Sequence, residues 1–286
     1  MRVVFDRVRF IYESFGRRRR APSRSRGGVD LAAFALQDIS FQLTSAESVA
    51  ILGRSGSGKS TLMSLFTGLI RPAQGRISVD DEDLGAATFS LSRLRQRIGL
   101  VFQFPESQLF ELSVFEDVAF GPRHLGLPES EVRERVEAAL AAVGLAPDFA
   151  SADPLHLSQG EKRRAAIAGV LAMQPEMLIM DEPTAGLDAA GRDRLVTNLR
   201  ALLARGLGLV LITHDTSLAT QLTSRALVLE QGRLVFDDQL STLLQDAKLT
   251  QSWGLERPRA VRLLQRMQQL QIPEADAKAL LREAIT

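Results

Sequence analysis

The segment Gly53-Arg-Ser-Gly-Ser-Gly-Lys59-Ser60 is a glycine-rich turn set between an apolar run and a helical stretch, and that arrangement suits phosphate binding. Glycines at this density let successive backbone N–H groups turn inward around an anion, and the positive end of the following helix adds to the same place. Gly53, Arg54, Ser55, Gly56, Ser57 and Gly58 would form the cradle. Lys59 would reach the β- and γ-phosphates of a nucleotide, the Ser60 hydroxyl would face Mg²⁺, and Thr61 would bond the α-phosphate. Further on, Met177-Leu-Ile-Met-Asp181-Glu182 ends an apolar strand in two adjacent carboxylates. Open α/β sheets bind their ligands at that end of a strand. Asp181 would hold Mg²⁺, directly or through water, and Glu182 would orient and deprotonate an attacking water. Alone, such a strand end is more often a helix cap or a solvated end than a catalytic pair; the phosphate loop upstream gives it meaning.

Those groups need a scaffold. Residues 1–12 and Leu36 to Leu43 alternate apolar with polar positions and read as strands. The run VAILG from Val49 is the strand before the loop, and Ser60 to Leu69 is its helix. Val132, Val136, Ala139, Leu140 and Val143 recur at helical spacing after Pro128. Strands at Met177 to Met180 and Leu209 to Thr213 alternate with helical stretches, which predicts an α/β fold with a largely parallel sheet. After Trp253 and Gly254, two helical stretches start near Pro258 and Pro273, with Leu263, Met267 and Leu270 on one face of the first. Between the first two strands, Arg17 to Arg20, Arg24 and Arg26 sit among Gly, Ser and Pro. Two readings are open for them, a solvated loop or contact with anionic lipid headgroups.

Composition narrows the classes. A net charge of +1 over 286 residues gives no reason to invoke nucleic acid. With no cysteine, disulfides, thiolate metal sites and cysteine nucleophiles are excluded. No apolar run approaches the ~18 residues of a membrane-crossing helix, so a membrane role is expected to come through partners.

Leu157-Ser158-Gln159-Gly160-Glu161 resembles the LSGGQ signature of ABC ATPases. Gln103 after IGLVF resembles their Q-loop, Ala185-Gly186-Leu187-Asp188 their D-loop, and His214 after LVLIT their switch histidine. The resemblance covers roughly residues 1 to 240 and implies a P-loop NTPase cassette fold. In that fold an N-terminal antiparallel β subdomain and a RecA-like parallel core carry a helical signature subdomain, about 104–165, with residues 241–286 as a helical extension. It implies ATP and Mg²⁺ as cofactors, with Ser60, Gln103 and Asp181 toward the metal and Glu182, His214, Gln103 and Lys59 serving hydrolysis. Ser158, Gln159, Gly160 and Glu161 would meet ATP held by a second cassette packed head to tail, and Asp188 would belong to the D-loop. Tyr12 stands where the family places an adenine-stacking aromatic; the other reading is a half-buried strand residue beside Phe10.

Within the family, Gln103-Phe-Pro-Glu106-Ser-Gln108-Leu-Phe110-Glu111, Asp117-Val-Ala-Phe120-Gly121-Pro122 and Gly254-Leu-Glu-Arg-Pro258 resemble energy-coupling factor importers, and cobalt and nickel uptake ATPases share much of this text. The QFPE form is similar to the second of their two ATPase subunits. This implies a heterodimer with another ATPase, a transmembrane coupling protein and a substrate-binding membrane protein, with the chain peripheral on the cytoplasmic face. Vitamins or transition-metal ions are the usual cargo of that group; the rival is a metal-ion importer with homodimeric cassettes. Glu106 has two open readings, an ion pair with an arginine of the coupling protein or an exposed loop charge. Added dimer contact and packing on the core are both open for the C-terminal helices. The chain departs from the common signature at Gln159, Glu161 and Ala46.

Overall fold

The computed structural model describes residues 1–12 and 35–269. The arginine cluster at 17–26, the helical stretch near Pro273 and Leu270 lie outside the described residues.

Two sheets organise the chain. Strand β1 (Arg2–Phe10) pairs antiparallel with β2 (Leu36–Thr44) and with β4 (Gln74–Val79), and the short β5 (Glu82–Asp83) closes this four-stranded sheet in the order β2-β1-β4-β5. The second sheet joins β3 (Ser48–Leu52), β6 (Ile98–Val101), β7 (Met177–Asp181), β8 (Gly208–Ile212) and β9 (Arg225–Glu230) in parallel. Antiparallel β10 (Arg233–Gln239) caps it, giving the order β10-β9-β3-β8-β7-β6. Apart from Ser48 and Asp181 at their ends, the central strands β3, β7 and β8 carry no polar side chain, because both faces are covered. Val49, Ile51, Met177, Ile179, Val210 and Ile212 enter one core with the antiparallel sheet and helix α1 (Lys59–Phe66). Their neighbours Ala50, Leu52, Leu178, Met180, Leu209 and Leu211 enter a second core. That core is filled largely by α3 (Val114–His124), α4 (Glu129–Ala142), α5 (Gln159–Leu171) and α6 (Ala189–Ala204).

Helix α1 is shorter than its apolar pattern predicts. Thr67 Oγ1 bonds back to the Met63 carbonyl, Gly68 turns to φ +64°, and Leu69 is left exposed beyond the helix end. Short α2 (Leu91–Arg97) leads into β6. Beyond β8, α7 (Thr216–Leu222) precedes β9, and α8 (Leu240–Gln245) and α9 (Ala247–Ser252) follow β10. Helix α10 (Arg259–Gln269) starts after Pro258 as predicted, with Leu263 and Met267 half-buried. Among the described residues, no helix is long and apolar enough to cross a membrane.

Candidate active site

The phosphate loop leaves β3 at Gly53, whose φ is +144°. A Cβ there would lie 2.3 Å from the Leu229 carbonyl oxygen on β9, so the loop can cross that strand only with glycine. Lys59 opens α1 and folds its ammonium back onto the loop, donating to the Gly53 carbonyl at 2.7 Å and the Arg54 carbonyl at 2.9 Å. Burial pulls its pKa below the ordinary lysine value, and the charges of Glu182 and Asp181 resist that shift. The first N–H groups of α1 have no partner inside the helix, which leaves them for an anion.

Strand β7 brings Asp181 and Glu182 to the loop's edge. Glu182 adopts φ +45°, in the left-handed region that a glutamate rarely occupies. Its backbone N–H donates to Ile212 O on the neighbouring strand at 2.8 Å. Glu182 Oε1 accepts from the His214 backbone N–H at 2.9 Å and from His214 Nδ1 at 2.7 Å, while Oε2 accepts the Thr213 hydroxyl at 2.9 Å. The strained backbone and three donors fix this carboxylate at the end of β8. The His214 ring, 80% exposed, keeps Nε2 for a ligand. Burial first, and the neighbouring Glu182 charge second, push Asp181 above the usual carboxylate range; Lys59 opposes them. Two crowded carboxylates facing one lysine form a place where added positive charge is favourable. Asp181, the Ser60 hydroxyl and the Gln103 amide are a sparse oxygen donor set, which fits Mg²⁺ held together with phosphate oxygens and water.

Tyr12, Gly53, Ser55, Gly56, Gly58, Lys59, Ser60, Thr61, Gln103, Asp181, Glu182 and His214 line a single cavity of about 790 Å³. Tyr12 lies past the end of β1, 60% exposed, with its ring edge-on to Phe10 at 4.9 Å and its hydroxyl 3.0 Å from Thr61 Oγ1. Arg54 is exposed outside the lining, and Ser57 is buried beneath it with an unpartnered hydroxyl. The remaining sequence candidates stand apart from this cavity. Asp188 caps α6 by accepting from Gly191 N at 2.7 Å. Ser158 and Glu161 form a reciprocal capping box at the start of α5, with Ser158 Oγ 2.6 Å from Glu161 Oε2. Ser158 and Gln159 face solvent.

The structure corrects both readings of Glu106. Its side chain is only 16% exposed, and it is neither a free loop charge nor open to a partner's arginine. Arg163, buried on α5, holds it at 3.2 Å and also donates to the carbonyls of Gln103, Pro183 and Ala185. One guanidinium therefore ties the segment after β6 to the segment after Glu182. Sequence reasoning gave Arg163 no role, because the partners that define it are distant in sequence. Thr213 also escaped it, as does Asp215, which caps α7 and pairs with Arg192 at 2.7 Å.

A separate apolar groove of about 390 Å³ runs beside Gln108, between α3, α5 and β6. Phe102, Phe110 and Phe120 line it and are exposed, with Phe110 edge-on to Phe120 at 5.1 Å. Asp117 accepts from the N–H groups of Phe110 and Glu111 through Oδ1, while Oδ2 is buried without a partner.

Comparison with known proteins agrees with this geometry. A family model described as ABC transporter matches residues 36–185. The energy-coupling factor transporter ATP-binding protein EcfA2 of Clostridium tetani is 39% identical over 237 residues, 82% of each chain. The cobalt import ATP-binding protein CbiO of Rhodobacter capsulatus is 44% identical over 229 residues, 80% of this chain and 81% of that one. Among solved structures, cbiO1 of Clostridium perfringens, part of the ABC transporter complex cbiONQ, superposes with a TM-score of 0.73 at 32% identity, covering 92% of this chain and 98% of that one. The phosphate loop, the paired carboxylates and these relationships lead to one assignment: the chain belongs to the ABC transporter family, as one of its ATP-hydrolysing cassettes.

Proposed function

We propose that the chain is the ATPase subunit of an energy-coupling factor importer, acting at the cytoplasmic face of the membrane as one half of a cassette dimer. The observation that carries this reading is the gathering of Lys59, Asp181, Gln103, Glu182 and His214 around one cavity while Ser158 to Glu161 stand outside it. A signature segment that cannot reach its own phosphate loop has a use when a second cassette brings its nucleotide to it.

In this reading Tyr12 stacks on adenine, and the loop amides with Lys59, Ser60 and Thr61 hold the phosphates. Lys59 exchanges the Gly53 and Arg54 carbonyls for phosphate oxygens. Asp181, Ser60 and Gln103 would hold Mg²⁺, which would supply charge neutralisation on the phosphates. Glu182, fixed by Thr213 and His214, accepts a proton from the attacking water. A neutral His214 that donates from Nδ1 presents Nε2 as an acceptor, so it must release Glu182 or gain a proton before Nε2 donates to the γ-phosphate. Binding favours the closed dimer, and loss of the bridging phosphate contacts reopens it.

Residues 1–240 would be the nucleotide-binding domain, with 104–165 as its helical part, and 241–286 an extension suited to dimer contact. The groove between Phe102, Phe110 and Phe120, with the unpartnered Asp117 oxygen, suits an amphipathic helix of a transmembrane coupling protein that carries a cation. The QFPE segment favours a different ATPase as the dimer partner, with a substrate-binding membrane protein selecting a vitamin or other micronutrient. The 44% identity to a cobalt import protein supports a second reading, a metal-ion importer with two identical cassettes.

Purification of the tagged chain from its own membranes in mild detergent, with ATPase assay, tests the proposal. A second cassette, a membrane protein and turnover that Glu182→Gln abolishes are the expected result. A nucleic-acid complex with no membrane protein overturns it, and two copies of this chain alone on the membrane protein favour the second reading.

A further inference from the structure

The segment joining α9 to α10 meets Arg54 of the phosphate loop at one end and Thr216, just after His214, at the other. Helix α9 ends in a Schellman turn: Leu255 N donates to Thr250 O at 2.8 Å and Gly254 N to Gln251 O at 3.1 Å, with Gly254 at φ +67°. The turn presents the bare Cα of Gly254 to Arg54 of the phosphate loop. A Cβ built at Gly254 would lie 2.3 Å from Arg54 Nε and 3.0 Å from Cζ and Nη2. The carbonyl of the same Arg54 accepts the Lys59 ammonium at 2.9 Å and the Ser57 N–H at 3.1 Å. Two residues further along, the Glu256 carbonyl accepts the hydroxyl of Thr216, a buried residue two positions after His214. Leu255 between them is buried in the core, and Pro258 is buried after them. Helix α10 is tied to this segment in turn, because Arg257 donates to Gln265 Oε1 and Gln265 donates to the Gln245 carbonyl at 2.8 Å.

We propose that Gly254–Glu256 is a positioning strap for the nucleotide site. It steadies the phosphate loop through Arg54 and the His214 wall through Thr216, so that the seating of the C-terminal helix is felt in ATP affinity and turnover. The two ends act on different steps. The Arg54 end sets the loop that grips phosphate, so its disturbance appears in nucleotide binding. The Thr216 end sets the turn that carries His214, so its disturbance appears in turnover.

The proposal rests on the ATP-site reading, and a mutant cycle on the full chain separates the two. Asn tolerates the left-handed turn that Gly254 occupies, so a purely capping role predicts that Gly254→Asn binds ATP like the unaltered protein. Asn nevertheless carries the Cβ that displaces the Arg54 guanidinium from the turn. The strap predicts binding weakened by about three- to tenfold in Gly254→Asn, and no further weakening when the same change is made in Arg54→Ala. It also predicts that Thr216→Val lowers kcat by a similar factor at nearly unchanged KM, with Thr216→Ser restoring it. Thermal melts confirm that each variant is folded. Unaltered ATP binding in Gly254→Asn, or effects of Gly254→Asn and Arg54→Ala that simply add, would overturn the strap while leaving the ATP site intact. No ATP binding by the unaltered chain would overturn the site reading itself.

Discussion

The guanidinium of Arg163 forks across both carboxylate oxygens of Glu106, at 3.2 Å to each. Arg163 is 3% exposed, and its remaining donors reach backbone carbonyls on both sides of the active site. Removing one partner of a buried pair strands the other charge, a loss of ~3–5 kcal/mol where burial is complete. Glu106→Ala and Arg163→Met should therefore each lower the urea midpoint at unchanged m, with Arg163→Met the worse because it also orphans carbonyls. Arg163→Lys should fail to rescue, since an ammonium cannot span the same fork. A midpoint unmoved by Glu106→Ala would show that the pair contributes nothing.

This pair also marks the boundary of what the sequence discloses. The central strands were legible because burial on both faces makes each a continuous apolar run, as in Val49 to Leu52 and Met177 to Met180. The phosphate loop was legible because its work is done by contiguous backbone. Arg163 was not, because its partners Gln103, Glu106, Pro183 and Ala185 are far off in sequence and meet only once α5 packs. The same holds for Thr216 and Glu256, which only the fold brings together.

Glu182 tests the chemistry directly. Glu182→Gln keeps the size and the acceptor for Thr213 but removes the proposed base, so turnover should fall by about 10²–10⁴-fold with ATP binding retained. Rapid mixing with radiolabelled ATP separates the two. Turnover near that of the unaltered chain in a folded variant would assign the base elsewhere.

Thr213 supports both Glu182 and the turn that follows it. Its buried hydroxyl donates to Oε2 and accepts from the Asp215 N–H at 3.0 Å. Thr213→Val keeps the shape, removes the bond to the carboxylate, worth ~1.5–3 kcal/mol, and takes the acceptor from the Asp215 N–H. We expect kcat to drop by roughly tenfold or more with little change in ATP affinity. An equal rise in KM would mean that Thr213 shapes nucleotide binding instead.

Arg97 gives a signed pH dependence. It bonds Glu176 at 2.5 Å and Asp80 at 2.7 Å, and its hydrogen bond holds Glu176 below the usual carboxylate range. Asp80 is also lowered: burial raises it, and bonds from the Arg2 N–H and Arg97 outweigh that. Folded pKa values below the unfolded ones mean stability that is present above about pH 4 and lost as pH falls through the folded values. Arg97→Gln should lower stability at pH 7 and flatten its decline below pH 4. A parallel downward shift across the whole range would show that Arg97 acts through packing alone.

Glu161 occupies the place of a glutamine in the common signature, and its hydrogen bonds from Ser158 hold it below the usual carboxylate range. It is therefore charged at neutral pH, beside the residues proposed to meet the partner's γ-phosphate. Like charges repel there, and the Ser158 hydroxyl is turned toward Glu161 at 2.6 Å. Glu161→Gln preserves a capping box, in which Gln serves as well as Glu, so the melting temperature should scarcely move. It should tighten ATP-driven dimerisation by about two- to tenfold, and less so in high salt, because the repulsion is electrostatic. Light scattering of the Glu182→Gln background with bound ATP reads this directly. Dimerisation unchanged by Glu161→Gln at low salt would place the signature residues away from the partner's phosphate.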